Sequence, residues 1–117
     1  MRVYYAEANY SNEEVEAALT VLKEQRLSLM CGPKVAELER KVASIFRKEF
    51  GLMTNSGSSA NLLGVLGLDL KKGTKVITPS LTFSTTVAPL VQAGLVPYFV
   101  DVDVQTLQMD PKHLKNL

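Results

Sequence analysis

The chain has 117 residues, 46% of them hydrophobic, which is ample for the core of one small domain; 13 Lys and Arg against 12 Asp and Glu give a formal net charge of +1. That balance leaves no basic face to neutralise phosphates and excludes a nucleic-acid partner, while a single Cys (Cys31) and a single His (His113) exclude a disulfide framework and the usual zinc clusters. No segment is long and apolar enough to span a bilayer and the N-terminus lacks a signal-peptide pattern, so a soluble cytoplasmic protein with no membrane and no metal is expected.

In chain order, Arg2 to Ala6 reads as an edge strand or an extended arm. Ser11 opens a helix: Glu14, three residues on, completes a capping box, and Val15, Ala18, Leu19 and Leu22 recur on one face until about Gln25. After a connector from Arg26 to Cys31, Gly32-Pro33 starts a second helix with Pro at its first position, where the missing N–H costs nothing. Val35, Leu38, Val42, Ile45 and Phe46 form its apolar stripe, opposed by Lys34, Glu37, Lys41 and Lys48 on the solvated face.

The stretch from Gly51 to Gly64 reads as a strand (Leu52 to Thr54), a polar turn (Asn55 to Ser59) and a helix (Ala60 to Leu68). The first N–H groups of such a helix have no partners within it, and the macrodipole puts roughly half a positive charge there. With the hydroxyls of Ser58 and Ser59 aimed the same way, a phosphate ester would fit, although the two serines would equally serve as helix caps. Lys71 to Thr74 then makes a turn, Lys75 to Thr78 a buried strand stopped by Pro79, and Ser80 to Thr86 a polar loop interrupted by Phe83. A helix from about Thr85 to Ala93, Gly94 and a strand from Val96 to Val100 follow. Asp101-Val-Asp103 closes that strand, and Asp110-Pro111 supplies the cap and first residue of a last helix reaching Leu117. Strands alternating with helices imply an α/β fold with a parallel sheet.

Two nucleotide motifs fail at the central turn. No Lys follows a glycine at P-loop spacing, and Gly57, Gly64 and Gly67 are wrongly spaced for a dinucleotide fingerprint. Ligands of open α/β sheets gather at the carboxyl ends of the strands, which puts the Gly57 turn and the Phe83 loop on one side. A phosphate held at one and a flat ring stacked on the other describe a phosphorylated aromatic cofactor; Phe83 is equally readable as an ordinary core residue.

The residues Asn55-Ser-Gly-Ser-Ser-Ala, Val76-Ile-Thr-Pro-Ser-Leu-Thr-Phe-Ser-Thr-Thr, Gly94-Leu-Val-Pro-Tyr-Phe-Val-Asp-Val-Asp and Gly32-Pro-Lys-Val-Ala-Glu-Leu-Glu resemble, in order and over almost the whole chain, the opening portion of the DegT/DnrJ/StrS family of nucleotide-sugar aminotransferases. The resemblance implies part of the large domain of a fold-type I pyridoxal-phosphate transferase, a three-layer α/β/α fold with a mostly parallel sheet. Within it, residues 1–50 form a helical N-terminal segment and 51–117 the strand–helix units. It implies pyridoxal 5'-phosphate as cofactor, with Ser58 and Ser59 holding the phosphate, Gly57 allowing its close approach and Phe83 stacking on the pyridine ring. Asp101 and Asp103 are in the motif but read as structural, and Lys71, Lys72 and Lys75 flank a turn at the far end of the strands, so no catalytic residue is assigned. Leu27 to Pro33 resembles a segment near the substrate pocket at a dimer interface.

By the same resemblance the partners are a keto-sugar nucleotide and an amino donor, glutamate, in a homodimer of the full-length form serving polysaccharide biosynthesis. Ser58-Ser59 in place of the more frequent Thr-Ala is similar to the branch of 3-dehydratases, which carry His where aminotransferases carry the cofactor-anchoring Lys. That position, and the Asp expected to pair with the pyridine nitrogen, are not in this sequence, so a fragment inactive on its own is expected. Three readings follow: the N-terminal part of a sugar aminotransferase, that of a sugar 3-dehydratase, or a non-enzymatic small α/β phosphate-binding or interaction domain. In the family fold the first strand and the next two lie at opposite sheet edges, so the three strands are expected to share no common sheet.

Overall fold

The structure, a computed structural model, describes residues 3–115. Arg2 of the expected arm and positions 116–117 of the expected last helix lie outside the described residues; residues 3–10 carry no strand. The chain divides into two compact units, Met1–Met53 and Thr54–Leu117.

In the first unit, α1 (Asn12–Glu24) starts where the capping box placed it. The Ser11 hydroxyl oxygen accepts the Glu13 N–H at 3.2 Å, and the Ser11 N–H donates to the Glu14 carboxylate at 2.7 Å. The Ser11 hydroxyl and then its N–H hold the Glu14 carboxyl below the usual range, because both hydrogen bonds favour the charged form. Helix α2 (Pro33–Ile45) has Pro33 at its first position and buries Ala43, while Leu38, Val42, Ile45 and Phe46 of the expected stripe remain exposed. On its solvated face Glu37 lies 2.7 Å from Lys41 and 3.3 Å from Lys34.

The strand expected at 52–54 is absent. The segment runs alongside α2 with no neighbouring strand to accept its ladder, and the Met53 N–H donates instead to the Glu39 carboxylate at 2.7 Å. Gly51 permits that approach: a Cβ there would stand 2.6 Å from the Glu39 carbonyl oxygen.

The second unit is built on α3 (Gly57–Gly67), β1 (Lys75–Pro79), α4 (Ser84–Gln92), β2 (Val96–Val100) and α5 (Pro111–Lys115). Strands β1 and β2 pair in parallel, Lys75 opposite Val96 through Pro79 opposite Val100, with α4 as the crossover packed on both. Thus the second and third expected strands pair with each other, and the three share no common sheet, the first not forming. The core under α4 is Pro89, Leu90, Leu95, Thr78 and the fully buried Val100. Burying a side chain such as Val100 contributes about 1.5–3 kcal/mol.

Helix α4 ends in a Schellman arrangement. Gly94 at φ +73 turns the chain, the Leu95 N–H donates to the Leu90 carbonyl at 2.8 Å and the Gly94 N–H to Val91 at 3.0 Å, so β2 enters its ladder at once. Beyond β2, Asp103 accepts the N–H groups of Gln105 and Thr106 at 2.9 and 3.0 Å, and Asp110 caps α5 through the Lys112 N–H at 2.8 Å. The Thr106 and then the Gln105 N–H hold the Asp103 carboxyl below its usual range.

Candidate functional site

The first turn of α3 is organised by Ser56. Its backbone is extended, at φ −162 and ψ 157, and its hydroxyl oxygen accepts the Ser59 N–H at 3.2 Å, so Ser56 is the N-cap. The capping role read for Ser58 and Ser59 therefore belongs to Ser56, while Gly57, Ser58 and Ser59 are the first three residues of the helix. The physical reason is the chain geometry: the capping residue is the last with extended backbone, and it reaches forward three positions.

What the cap leaves free is informative. The Ser59 N–H is taken by Ser56 and the Ala60 N–H by the Ser56 carbonyl at 3.1 Å, whereas the N–H groups of Gly57 and Ser58 have no acceptor among the described residues. The hydroxyl of Ser58 is free as well, but that of Ser59 donates to the Asn55 side-chain oxygen at 2.7 Å and lies 3.1 Å from the Ser56 hydroxyl. Both Gly57 and Ser58 are exposed, and a Cβ built on Gly57 would meet nothing within 4 Å. The turn thus offers two backbone donors, one hydroxyl and open room at the positive end of a helix dipole, a donor set that fits three phosphate oxygens.

Phe83 is the N-cap position of α4, at the end of the loop leaving the carboxyl end of β1. Phe83 is 74% exposed, so the reading of it as a core residue is not met. A cleft of about 220 Å³ lies between α3 and α4, lined by Ser58, Ser59, Leu62, Thr85, Ala88, Pro89 and Gln92. It brings Ser58 and Ser59 against α4; neither Gly57 nor Phe83 lines it. Asp103 accepts backbone N–H groups of the loop after β2, and Asp101 accepts the Val102 N–H at 2.8 Å and the Ser80 hydroxyl at 3.3 Å. Lys75 reaches over the Tyr98 ring, 5.2 Å from its centroid, and the Lys72 side chain lies against Gly94.

Two residues of this region were not singled out from the sequence. Asn55 anchors the Ser59 hydroxyl, and Asn61 on α3 donates its side-chain amide to the Thr85 carbonyl on α4 at 3.5 Å. The run of polar residues from Asn55 to Ser59 signalled the first; nothing local signals the second, whose partner is 24 residues away. No helix among the described residues is long and apolar enough to cross a membrane.

The sequence pattern that defines the DegT/DnrJ/EryC1/StrS aminotransferase family matches residues 8–117. The chain is 36% identical over 116 residues to the GDP-4-keto-6-deoxy-D-mannose 3-dehydratase of Escherichia coli O55:H7, covering 94% of this chain and 29% of that protein. It is 33% identical over 107 residues to the 3-oxo-glucose-6-phosphate:glutamate aminotransferase of Bacillus subtilis, covering 90% of this chain and 24% of that protein. Among solved structures, the E. coli GDP-4-keto-6-deoxy-D-mannose-3-dehydratase with bound hydrated PLP superposes with a TM-score of 0.85 at 36% identity, over 95% of this chain and 30% of that one. The chain therefore spans less than a third of the length of these relatives and shares the fold of this part of a fold-type I pyridoxal-phosphate enzyme.

Proposed function

The chain belongs to the DegT/DnrJ/EryC1/StrS aminotransferase family, whose enzymes depend on pyridoxal phosphate, and we propose that the first turn of its α3 seats the phosphate of that cofactor. The N–H groups of Gly57 and Ser58 and the Ser58 hydroxyl would hold the ester oxygens, and the Phe83 ring would lie against the pyridine face. Ser59 would act at one remove, its N–H and hydroxyl already committed to Ser56 and Asn55 and fixing the shape of the turn. Pyridoxal phosphate, when bound, supplies the electron sink for chemistry at a carbon next to nitrogen. The residues of this chain bind and orient it: the turn by fixed donors, the ring by stacking that restricts the cofactor plane.

The observation that carries the reading is the open turn itself, with two unpartnered N–H groups, a free hydroxyl and vacant space at Gly57. Titration of the protein with pyridoxal phosphate tests it. Ser58→Ala should weaken binding by about 1.5–3 kcal/mol, the worth of a hydrogen bond to a charged group, and an unchanged affinity would remove the turn from the site.

For the reaction, we propose removal of the 3-hydroxyl from a keto-sugar nucleotide, supported by the 36% identity to a 3-dehydratase and by Ser58-Ser59-Ala60-Asn61 in the turn. Amino transfer from glutamate stands as the second reading, supported by the 33% identity to a glutamate-dependent aminotransferase. Mass spectrometry of the product formed by the full-length enzyme with nitrogen-labelled glutamate separates the two. Dehydration gives a sugar poorer by one oxygen and free of label, and transfer gives one that carries the label. A homodimer belongs to the same proposal, with light scattering of that enzyme as its check.

A further inference from the structure

Helix α4 starts without a side-chain cap on its backbone: the Thr86 N–H donates to the Phe83 carbonyl at 2.9 Å, and the Thr82 hydroxyl lies 3.1 Å from that of Thr86. Phe83 at the N-cap offers no side-chain acceptor, and Pro89 lies one turn in. A proline has no N–H, so the carbonyl four residues earlier loses the donor that a helix would give it. That carbonyl belongs to Thr85, and it is the one that receives the Asn61 side-chain amide from α3, at 3.5 Å. Because the partner is a carbonyl, the amide nitrogen and not the oxygen must face it.

The position of Asn61 makes the bond consequential. Asn61 follows Gly57 by four residues, so the two share one face of α3, a single turn apart. Thr85 follows Phe83 by two, in the first turn of α4. The bond therefore ties the second turn of the phosphate-cup helix to the first turn of the helix whose cap is the aromatic residue. The cleft beside it is lined by Leu62, Ala88, Pro89, Gln92 and hydroxyl residues, and Asn61 to Thr85 is the side-chain hydrogen bond found between the two helices among the described residues.

We propose that Asn61 is a positioning residue: by replacing the hydrogen bond that Pro89 withholds from Thr85, it fixes the start of α4, and with it Phe83, relative to the Gly57–Ser59 turn. It touches no cofactor atom and acts through α4. Its importance for cofactor binding rests on the phosphate reading above, while the tie itself does not.

The prediction is a conditional one, because Pro89→Ala restores a backbone N–H for Thr85 and makes the outside donor redundant. In the protein carrying Pro89, Asn61→Ala should speed backbone exchange of the Thr86 amide, which donates to the Phe83 carbonyl at 2.9 Å, by about fivefold, as expected for loss of one net hydrogen bond. In the Pro89→Ala background the same substitution should change exchange by less than about twofold. Pyridoxal-phosphate affinity should follow the pattern, falling about tenfold in the first background and little in the second, with binding of inorganic phosphate unchanged in both. Equal effects in the two backgrounds, or none in either, would overturn the proposal, as would an affinity that ignores Asn61 while exchange responds. If the unsubstituted protein takes up no pyridoxal phosphate, the cofactor reading has failed and the exchange cycle alone decides the tie.

Discussion

Gly57 separates folding from binding more sharply than any other position. Its Cβ would enter open space and its backbone is helical, so Gly57→Ala should leave stability unchanged or raise it by up to about 1 kcal/mol. The added methyl nonetheless fills the room in which phosphate oxygens would sit. Pyridoxal-phosphate affinity should drop about tenfold in the same variant, and a retained affinity would show that the ligand does not approach there. Ser56 should behave in the opposite way. Ser56→Ala deletes the cap of α3 and the partner of the Ser59 N–H, and should destabilise that helix by about 0.5–2 kcal/mol, read as faster backbone amide exchange along α3 before any ligand is added. The sequence made the polar turn conspicuous but gave the cap to the wrong serines, since Ser56, Ser58 and Ser59 are alike until the backbone decides which is the last extended residue.

At the level of elements, local signals were the most legible. The Ser11–Glu14 pair, Pro33 at the start of α2, the strand at Val96–Val100 and the Asp110-Pro111 start of α5 all lie where residue spacing put them. The capping box also makes a pH prediction. Hydrogen bonds from Ser11 depress the Glu14 carboxyl in the folded helix, so its contribution is present above the carboxyl's ordinary value and is lost as pH falls through the depressed one. Helical circular dichroism should therefore decline through that acidic window, and Glu14→Gln, which still bonds Ser11 but does not titrate there, should flatten the α1 part of the change. An identical acid profile in both proteins would refute it. The strand expected at 52–54 failed for a reason that a local pattern cannot contain. An extended run becomes a strand only beside another, and its Met53 N–H found the Glu39 carboxylate instead.

For the whole molecule the balance of exposed and buried surface is decisive. Among the described residues the buried hydrophobic side chains other than proline are Ala43, Leu90, Leu95 and Val100, while Leu27, Met30, Phe46, Phe50, Phe83 and Val104 are each more than half exposed. A two-stranded sheet with one crossover helix is marginal in water. The isolated chain should accordingly bind a hydrophobic dye strongly and melt over a broad range; a sharp two-state transition, with equal calorimetric and van't Hoff enthalpies, would contradict this. By itself the sequence determined what depends on neighbours within a few residues: the starts of α1, α2 and α5, the alternation of strand and helix, the polar turn, and through its motifs the family. Only the tertiary structure decided what depends on residues far apart in the chain. It chose which expected strands pair, turned the Phe83 ring outward and set Asn61 beneath the Thr85 carbonyl, because each outcome is fixed by a partner that no local spacing specifies.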